Sequence, residues 1–137
     1  MESKTFQENI LFHYRHPRNK GELKGFTFSA RDTNPLCGDE VTIQVKIRNG
    51  KVEEAKFEGS GCAISQASAS LLTDYLKDKS VQELRKIGKE EVFKLIGTRL
   101  SPVRMRCALL PLRVLKEGLF EHLKEPEELK RARHEIG

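Results

Sequence analysis

The sequence predicts an α+β fold, a β-hairpin set among helices in a single domain, and three observations predict it. Val41, Ile43, Val45 and Ile47 alternate with Thr42, Gln44 and Lys46 just ahead of Asn49-Gly50, the period of a half-buried strand running into a tight turn. Segments before and after this hairpin repeat apolar residues at helical spacing instead. The chain of 137 residues also has the common size of one domain, with neither an internal repeat nor a linker long enough to divide it.

Composition narrows the class further. Apolar residues make up 37%, charged residues 33%, and there is no Trp, which suits a soluble, rather polar protein or one with a charged extension. No apolar run approaches the roughly 20 residues that span a bilayer. "MESKTFQENI" lacks the basic start and apolar core of a secretory signal. No membrane association is expected, and the cytoplasm is the expected location. The formal charge of +5 would suit an acidic partner, but the basic residues are spread among acidic ones. Lys130, Arg131 and Arg133 form a small cluster without interleaved aromatic residues to stack on bases, so nucleic acid is not an expected partner.

In chain order, Phe6, Ile10, Leu11 and Tyr14 predict a helix over about residues 4–16, stopped by Pro17. "GFTFSARDTNPLCGD" reads as a strand-like or loop segment rich in turn residues. The strand over 41–47 follows, and Asn49-Gly50 returns residues 51–58 antiparallel. A register centred on that turn would set Ile43 opposite Lys56. Shifting it by half a residue pairs Ile43 with Phe57 and Val45 with Ala55, so a bulge or a three-residue connection is expected. Either way Cys37 and Cys62 lie at equal distances from the turn, at the open end of one hairpin. Strands run about 4.8 Å apart, which brings both thiols within reach of one metal ion.

Ala63 to Lys77 predicts a helix with small residues on its packing face. Cys62 falls at its first turn, where free N–H groups and the helix dipole favour a thiolate. "SVQELRKI", residues 80–87, predicts a short helix with a capping box of Ser80 and Glu83. Residues 89–96 predict another, with Gly88 and Gly97 as stops. "TRLSPVRMR" reads as a basic loop, and Cys107 as the start of a last helix carrying Leu112, Leu115, Leu119 and Leu123, with Pro111 near its first turn. About five helices result. The structured domain is expected over residues 1–124, with "EPEELKRARHEIG" (125–137) a charged C-terminal tail.

The chemistry centres on the thiols. Three Cys is an odd count, and a reducing compartment disfavours disulfides. Cys62 and Cys107 are expected at helix starts and Cys37 at a Gly-containing turn, positions that favour deprotonation or close approach. With Asp39 they supply three thiolates and a carboxylate, enough for a four-coordinate site for zinc or an iron–sulfur cluster. Cys37-x-Asp39 puts both side chains on one side if that trio is extended. Taken singly, each thiol also reads as an inert buried Cys, Cys107 above all because it is remote in sequence, and no CxxC pair is present. Arg104 and Arg106 flank the third thiol and could lower its pKa or balance a cluster's charge. Gly38, Gly59 and Gly61 read as residues for turns and close backbone approach that also shape the pocket. His13, His16, His122 and His134 have no partner at ligand spacing and read as surface or helix-packing residues. With no general base placed near a thiol, a Cys-nucleophile hydrolase is a weak reading.

"NPLCGDE", "FEGSGCAISQASASLL" and "RMRCALLPLRVLKEGL", in this order and with these separations, resemble the IscU/SufU (NifU N-terminal-like) family of iron–sulfur cluster assembly scaffolds, as does "HYRHPRNKGEL". The resemblance runs to about residue 123. It implies a three-stranded antiparallel sheet packed with helices, and Cys37, Asp39, Cys62 and Cys107 as the ligand set, supported by Gly38 and Arg104. It further implies a scaffold rather than an enzyme, which takes sulfur from a cysteine desulfurase of the IscS/SufS type, assembles a [2Fe–2S] or related cluster with iron, and passes it to apo iron–sulfur proteins. Self-association of the cluster-bound chain would be in keeping with that role. The alternative is a SufU-like zinc-dependent sulfurtransferase that accepts persulfide. Two departures bear on the branch. "LSPVRMRC" has Ser101 where the IscU branch has a first Pro, and Arg106 where it has His. Arg104-x-x-Cys107 looks like SufU, yet the step from Cys62 to Cys107 leaves no room for the insertion usual in that branch.

Overall fold

The alternating segment forms β2 (Asp39–Arg48), with Val41, Ile43 and Val45 fully buried and Thr42, Gln44 and Lys46 half-buried between them. In this computed structural model residues 2–97 and 100–124 are described. The charged tail over 125–137, with His134 and the Lys130, Arg131 and Arg133 cluster, lies outside the described residues, as does the side chain of Phe6.

The sheet is antiparallel and three-stranded, in the order β1 (Phe28–Asn34), β2, β3 (Lys51–Ser60). The strand-like or loop segment thus resolves into β1 and a turn, as the implied third strand requires. Ile43 pairs with Phe57 and Val45 with Ala55, whereas Ile47 faces Val52 and Arg48 faces Lys51, the register shifting between Lys46 and Ile47. The expected bulge therefore leaves Glu53 as the extra residue. It lets a two-residue turn, with φ of 54° at Asn49 and 76° at Gly50, coexist with one buried face. The outer edge of β3 is covered at both ends. Gly21 N–H donates to Phe57 O and Phe57 N–H to Asn19 O, while Val52 N–H donates to Lys79 O and Asp78 N–H to Val52 O, each bond 2.9–3.0 Å. Pairing of this kind removes the exposed ladder that would template association.

Among the described residues five helices accompany the sheet: α1 (Glu2–Arg15), α2 (Ala63–Tyr75), α3 (Val81–Lys86), α4 (Lys89–Ile96) and α5 (Pro102–Leu123). Ala67, Ser68, Ala69 and Ser70 on α2 are buried, and their small size lets neighbouring elements come close. Ser68 Oγ donates to Ala108 O of α5 at 2.6 Å. Ser70 Oγ accepts the Arg18 N–H at 2.8 Å and shares a 2.9 Å bond with Nδ1 of the buried His13. Burial, with Arg18 nearby, lowers the His13 pKa. His122 stacks on Phe28. Both rings pack, as their lack of ligand spacing suggested. Ser80 and Glu83 form the capping box, and Gly97 ends α4 at φ 97°.

One expectation fails at α5. The helix starts at Pro102, after Ser101, so residues 102–106 are helical rather than loop and Cys107 stands in the second turn rather than at the start. Pro at the first helical position has a suitable φ and no N–H to leave unpaired, so it begins the helix. Pro111 is consequently inside it, and the N–H it lacks is the one the Cys107 carbonyl would have accepted. Gly118 lets α5 lie against β1, since a Cβ there would come within 2.8–3.0 Å of Phe28 and Ala30 side-chain atoms. Opposite the sheet face of Val41, Ile43, Val45, Ala55 and Phe57, the core is filled by Leu72, Leu76, Leu112, Leu115 and Leu119.

Candidate metal centre

At the open end of the sheet, β1, the β1–β2 turn, β2, the start of α2 and α5 each contribute one polar or sulfur-bearing side chain. Between β1 and β2 the chain turns through Pro35–Gly38, with Cys37 N–H donating to Asn34 O at 3.2 Å and Gly38 at φ 69°. Cys37-x-Asp39 is therefore a turn, not the extended trio anticipated. The positive φ that Gly38 supplies reverses the chain there, and the two side chains still meet.

Asp39 opens β2 opposite Asn34 and is 1% exposed. Its carboxylate occupies space left by Gly61 (φ 131°), where a Cβ would collide with Asp39 itself. Gly59 does the same for the Glu40 carbonyl. These glycines serve close backbone approach, as expected. Cys62 is the N-cap of α2. Its N–H donates to Asp39 Oδ1 at 2.8 Å, its thiol faces Asp39 Oδ2 at 3.7 Å, and its Sγ accepts the Ser65 N–H at 3.4 Å. A sulfur here takes the place of the usual capping oxygen, at the electropositive end of a helix.

Cys107 comes from α5 and is 3% exposed. Its Sγ lies 3.0 Å from Cys37 Sγ, 3.7 Å from Val103 O and 3.9 Å from Asn34 Nδ2. Burial pushes its pKa strongly up, reinforced by hydrogen bonds with Cys37, Asp39 and Cys62. This reverses the expectation that a helix start would favour its thiolate: the dipole acts within the first turn, and Cys107 is beyond it. Ligand atoms of Cys37, Asp39 and Cys107 all lie within 4.8 Å of one another, and Cys62 joins them through Asp39.

The thiols open into a cavity of about 590 Å³ walled by Ile10 and Leu11 of α1, Ile64 of α2 and Val103 of α5, with Arg104 at its rim. Arg104 and Arg106 are both exposed, and only Arg104 lines the cavity. Cys37 and Cys62 are partly exposed, so a reactant entering from solvent meets them before Cys107. The donor set fits a metal. Zinc–sulfur bonds of about 2.3 Å in a tetrahedron place ligand atoms about 3.8 Å apart, a spacing within that of the group. Thiolates also match iron–sulfur chemistry, to which one harder carboxylate oxygen adds a weaker ligand.

Sequence reasoning missed four contributors. Asn34 reads as half of a turn-forming Asn-Pro, whereas it is buried against Cys107. Ser65 donates its main-chain N–H to the Cys62 sulfur that caps α2, a contact that carries no residue signature. Ile10 and Leu11 read as one helical stripe, but Ile10 is buried and Leu11 is exposed at the cavity wall.

Comparison with known proteins gives a consistent picture. The family model described as NifU-like N terminal domain matches residues 5–128. The zinc-dependent sulfurtransferase SufU of Bacillus subtilis is 36% identical over 131 residues, covering 83% of this chain and 88% of that protein. The iron–sulfur cluster assembly enzyme IscU of Drosophila melanogaster is 36% identical over 121 residues, covering 85% and 77%. A crystal structure from Fervidobacterium islandicum AW-1, described as a candidate cluster assembly scaffold for the SUF system, superposes with a TM-score of 0.72 at 27% identity, over 82% of this chain and 94% of that one. Among the described residues no helix is long and apolar enough to cross a membrane.

Proposed function

The chain belongs to the family of NifU-like N-terminal domains, and from that premise we propose that it is an iron–sulfur cluster assembly scaffold. In this reading it accepts sulfur from a cysteine desulfurase, combines it with iron as a [2Fe–2S] or related cluster, and delivers the cluster to apo-proteins. It acts as a carrier rather than an enzyme, in the cytoplasm, through a domain of residues 1–124. Two copies associate while a cluster is bound.

The single observation that carries the reading is the meeting of Cys37, Asp39 and Cys107 within 4.8 Å, with Cys62 bonded to Asp39, beside an open cavity. Cys37, Asp39, Cys62 and Cys107 are the proposed ligands. The half-exposed thiols receive sulfur, Asp39 is the weak ligand that eases release, Arg104 offsets negative charge at the rim, and Gly38 sets the turn. When bound, the cluster is cargo. The residues' task is to hold its iron through sulfur, exclude water with the apolar walls, and let it go. Anaerobic reconstitution with ferrous iron, cysteine, a desulfurase and a thiol reductant that converts the persulfide sulfur to sulfide should give visible charge-transfer absorption that any one Cys→Ser change abolishes. A colourless wild-type product refutes the reading.

A second reading has its own support in the 36% identity to a zinc-dependent sulfurtransferase and in Arg104-x-x-Cys107. There the same four residues would hold zinc, which would keep their thiols deprotonated, and a thiolate of this chain attacks the outer sulfur of the desulfurase persulfide while the desulfurase's own thiolate leaves. Stoichiometric zinc in anaerobically purified protein, with stimulation of desulfurase turnover and no cluster transfer, would select it.

A further inference from the structure

The four proposed ligands bring up to four negative charges into a space where a divalent cation neutralises two. Nearby N–H groups must carry part of the remainder, because Asp39 and Cys107 are 1% and 3% exposed and have little access to water. Asp39 Oδ1 takes the Cys62 N–H and Cys62 Sγ takes the Ser65 N–H, both main-chain donors at the start of α2. Cys37 is open to the cavity. Among the described residues, Cys107 is the one proposed ligand served by a side-chain N–H, the Asn34 amide, with Nδ2 3.9 Å from its sulfur.

We infer that Asn34 is a positioning residue for this metal centre. Its amide donates to Cys107 Sγ, aims that sulfur at Cys37 and Asp39, and withdraws charge from it when it bears a metal. The inference rests on the metal-binding reading above, in either its cluster or its zinc form. Three further observations support the role. Asn34 is 8% exposed, so its amide has few competing partners in water. Its main chain closes the turn through the Cys37 N–H and pairs with Asp39 in the ladder, so one residue contacts three proposed ligands. The end of β1 is clamped to α5 by Arg113, whose guanidinium donates to Thr33 O at 3.0 Å and lies 3.2 Å from Asp32. That clamp keeps the amide in register with Cys107.

Because the contacts to Cys37 and Asp39 are main-chain, Asn34→Ala removes the amide alone. The full chain, purified anaerobically, is titrated with zinc against a chromophoric chelator, and a second sample is loaded with cobalt. Asn34→Ala should weaken zinc binding by about 10–100-fold, the usual effect of losing a group that orients a ligand. It should also move the sulfur-to-cobalt charge-transfer band to longer wavelength, because a sulfur without its N–H donor gives up charge more easily. Asn34→Asp, which keeps the shape and reverses the polarity, should weaken binding further, and it serves if the Ala variant fails to fold. A folded variant with unchanged affinity, or with reduced affinity and an unmoved band, overturns the inference while metal binding by the wild type leaves the parent reading standing. A wild-type chain that takes up neither zinc nor cobalt overturns both.

Discussion

The two ends of the sheet bury opposite charges by the same device and differ in what they leave over. At the turn end, the Lys116 ammonium of α5 is 3% exposed and donates to the carbonyls of Leu84 and Arg85 at 3.0 and 2.5 Å, at the C-terminus of α3. At the open end, the Asp39 carboxylate is 1% exposed and accepts the N–H of Cys62 at the N-terminus of α2. Each charge sits on the helix end of opposite polarity. The turn end is then closed: Asn49-Gly50 packs on the start of α3, where Val81 N–H donates to Gly50 O and Ser80 completes its capping box. The open end instead gathers three sulfurs and a second carboxylate oxygen around a cavity. A surplus of electron-pair donors suits a cation, so one hairpin carries a structural terminus at one end and the proposed metal centre at the other.

Breaking the glycines should give the largest contrast. Gly61→Val places a side chain on the Asp39 carboxylate in a backbone conformation of φ 131°. It should cost about 3 kcal/mol or more in chemical denaturation and abolish zinc uptake. Gly50→Ala meets open space at φ 76° and should cost about 1 kcal/mol with zinc affinity unchanged. Equal losses at the two positions would show that the open end is not specially constrained.

The next effect belongs to Lys116. Burial lowers its pKa to about 8, with Glu91 opposing the shift and Arg85 adding to it. The unfolded chain keeps the proton up to about 10.4, so between these values the unfolded state binds more protons and stability rises with pH. Wild type should gain about 2 kcal/mol from pH 7 to 9.5 by this route, and Lys116→Met should lose that part of the rise. Parallel pH profiles in urea titrations of the two proteins would contradict it.

The smallest effect is expected at the cap. Ser80→Ala removes the acceptor of the Glu83 N–H, 3.1 Å away, and should cost about 1 kcal/mol. The same zinc titration should not change, because α3 contributes nothing to the centre. A matching fall in affinity would mean that the two ends are coupled.

Much of this was legible in the chain. The buried face of β2, the Asn49-Gly50 turn, the half-residue register shift and the Ser80-Glu83 box are set by neighbours within a few residues, where side-chain period and turn stereochemistry act. Equal spacing of Cys37 and Cys62 from the turn also anticipated that the open end would hold both. The start of α5 was misread, because Pro102 stops a helix from one side and starts it from the other, and the reactive character expected of Cys107 went with it.

By itself the sequence determined most of the elements, the register of the hairpin and which residue types suit soft-metal chemistry, since these follow from local periodicity and residue type. Tertiary structure alone decided the rest. It set a Cys107 from α5 3.0 Å from Cys37, made Gly61 the room for a buried Asp39, and turned Asn34 from a turn residue into a sulfur's partner. Those contacts join residues 22 to 73 positions apart in the chain. No local rule reaches that far; they exist because α2 and α5 pack on one face of the sheet and bring their ends to the same edge.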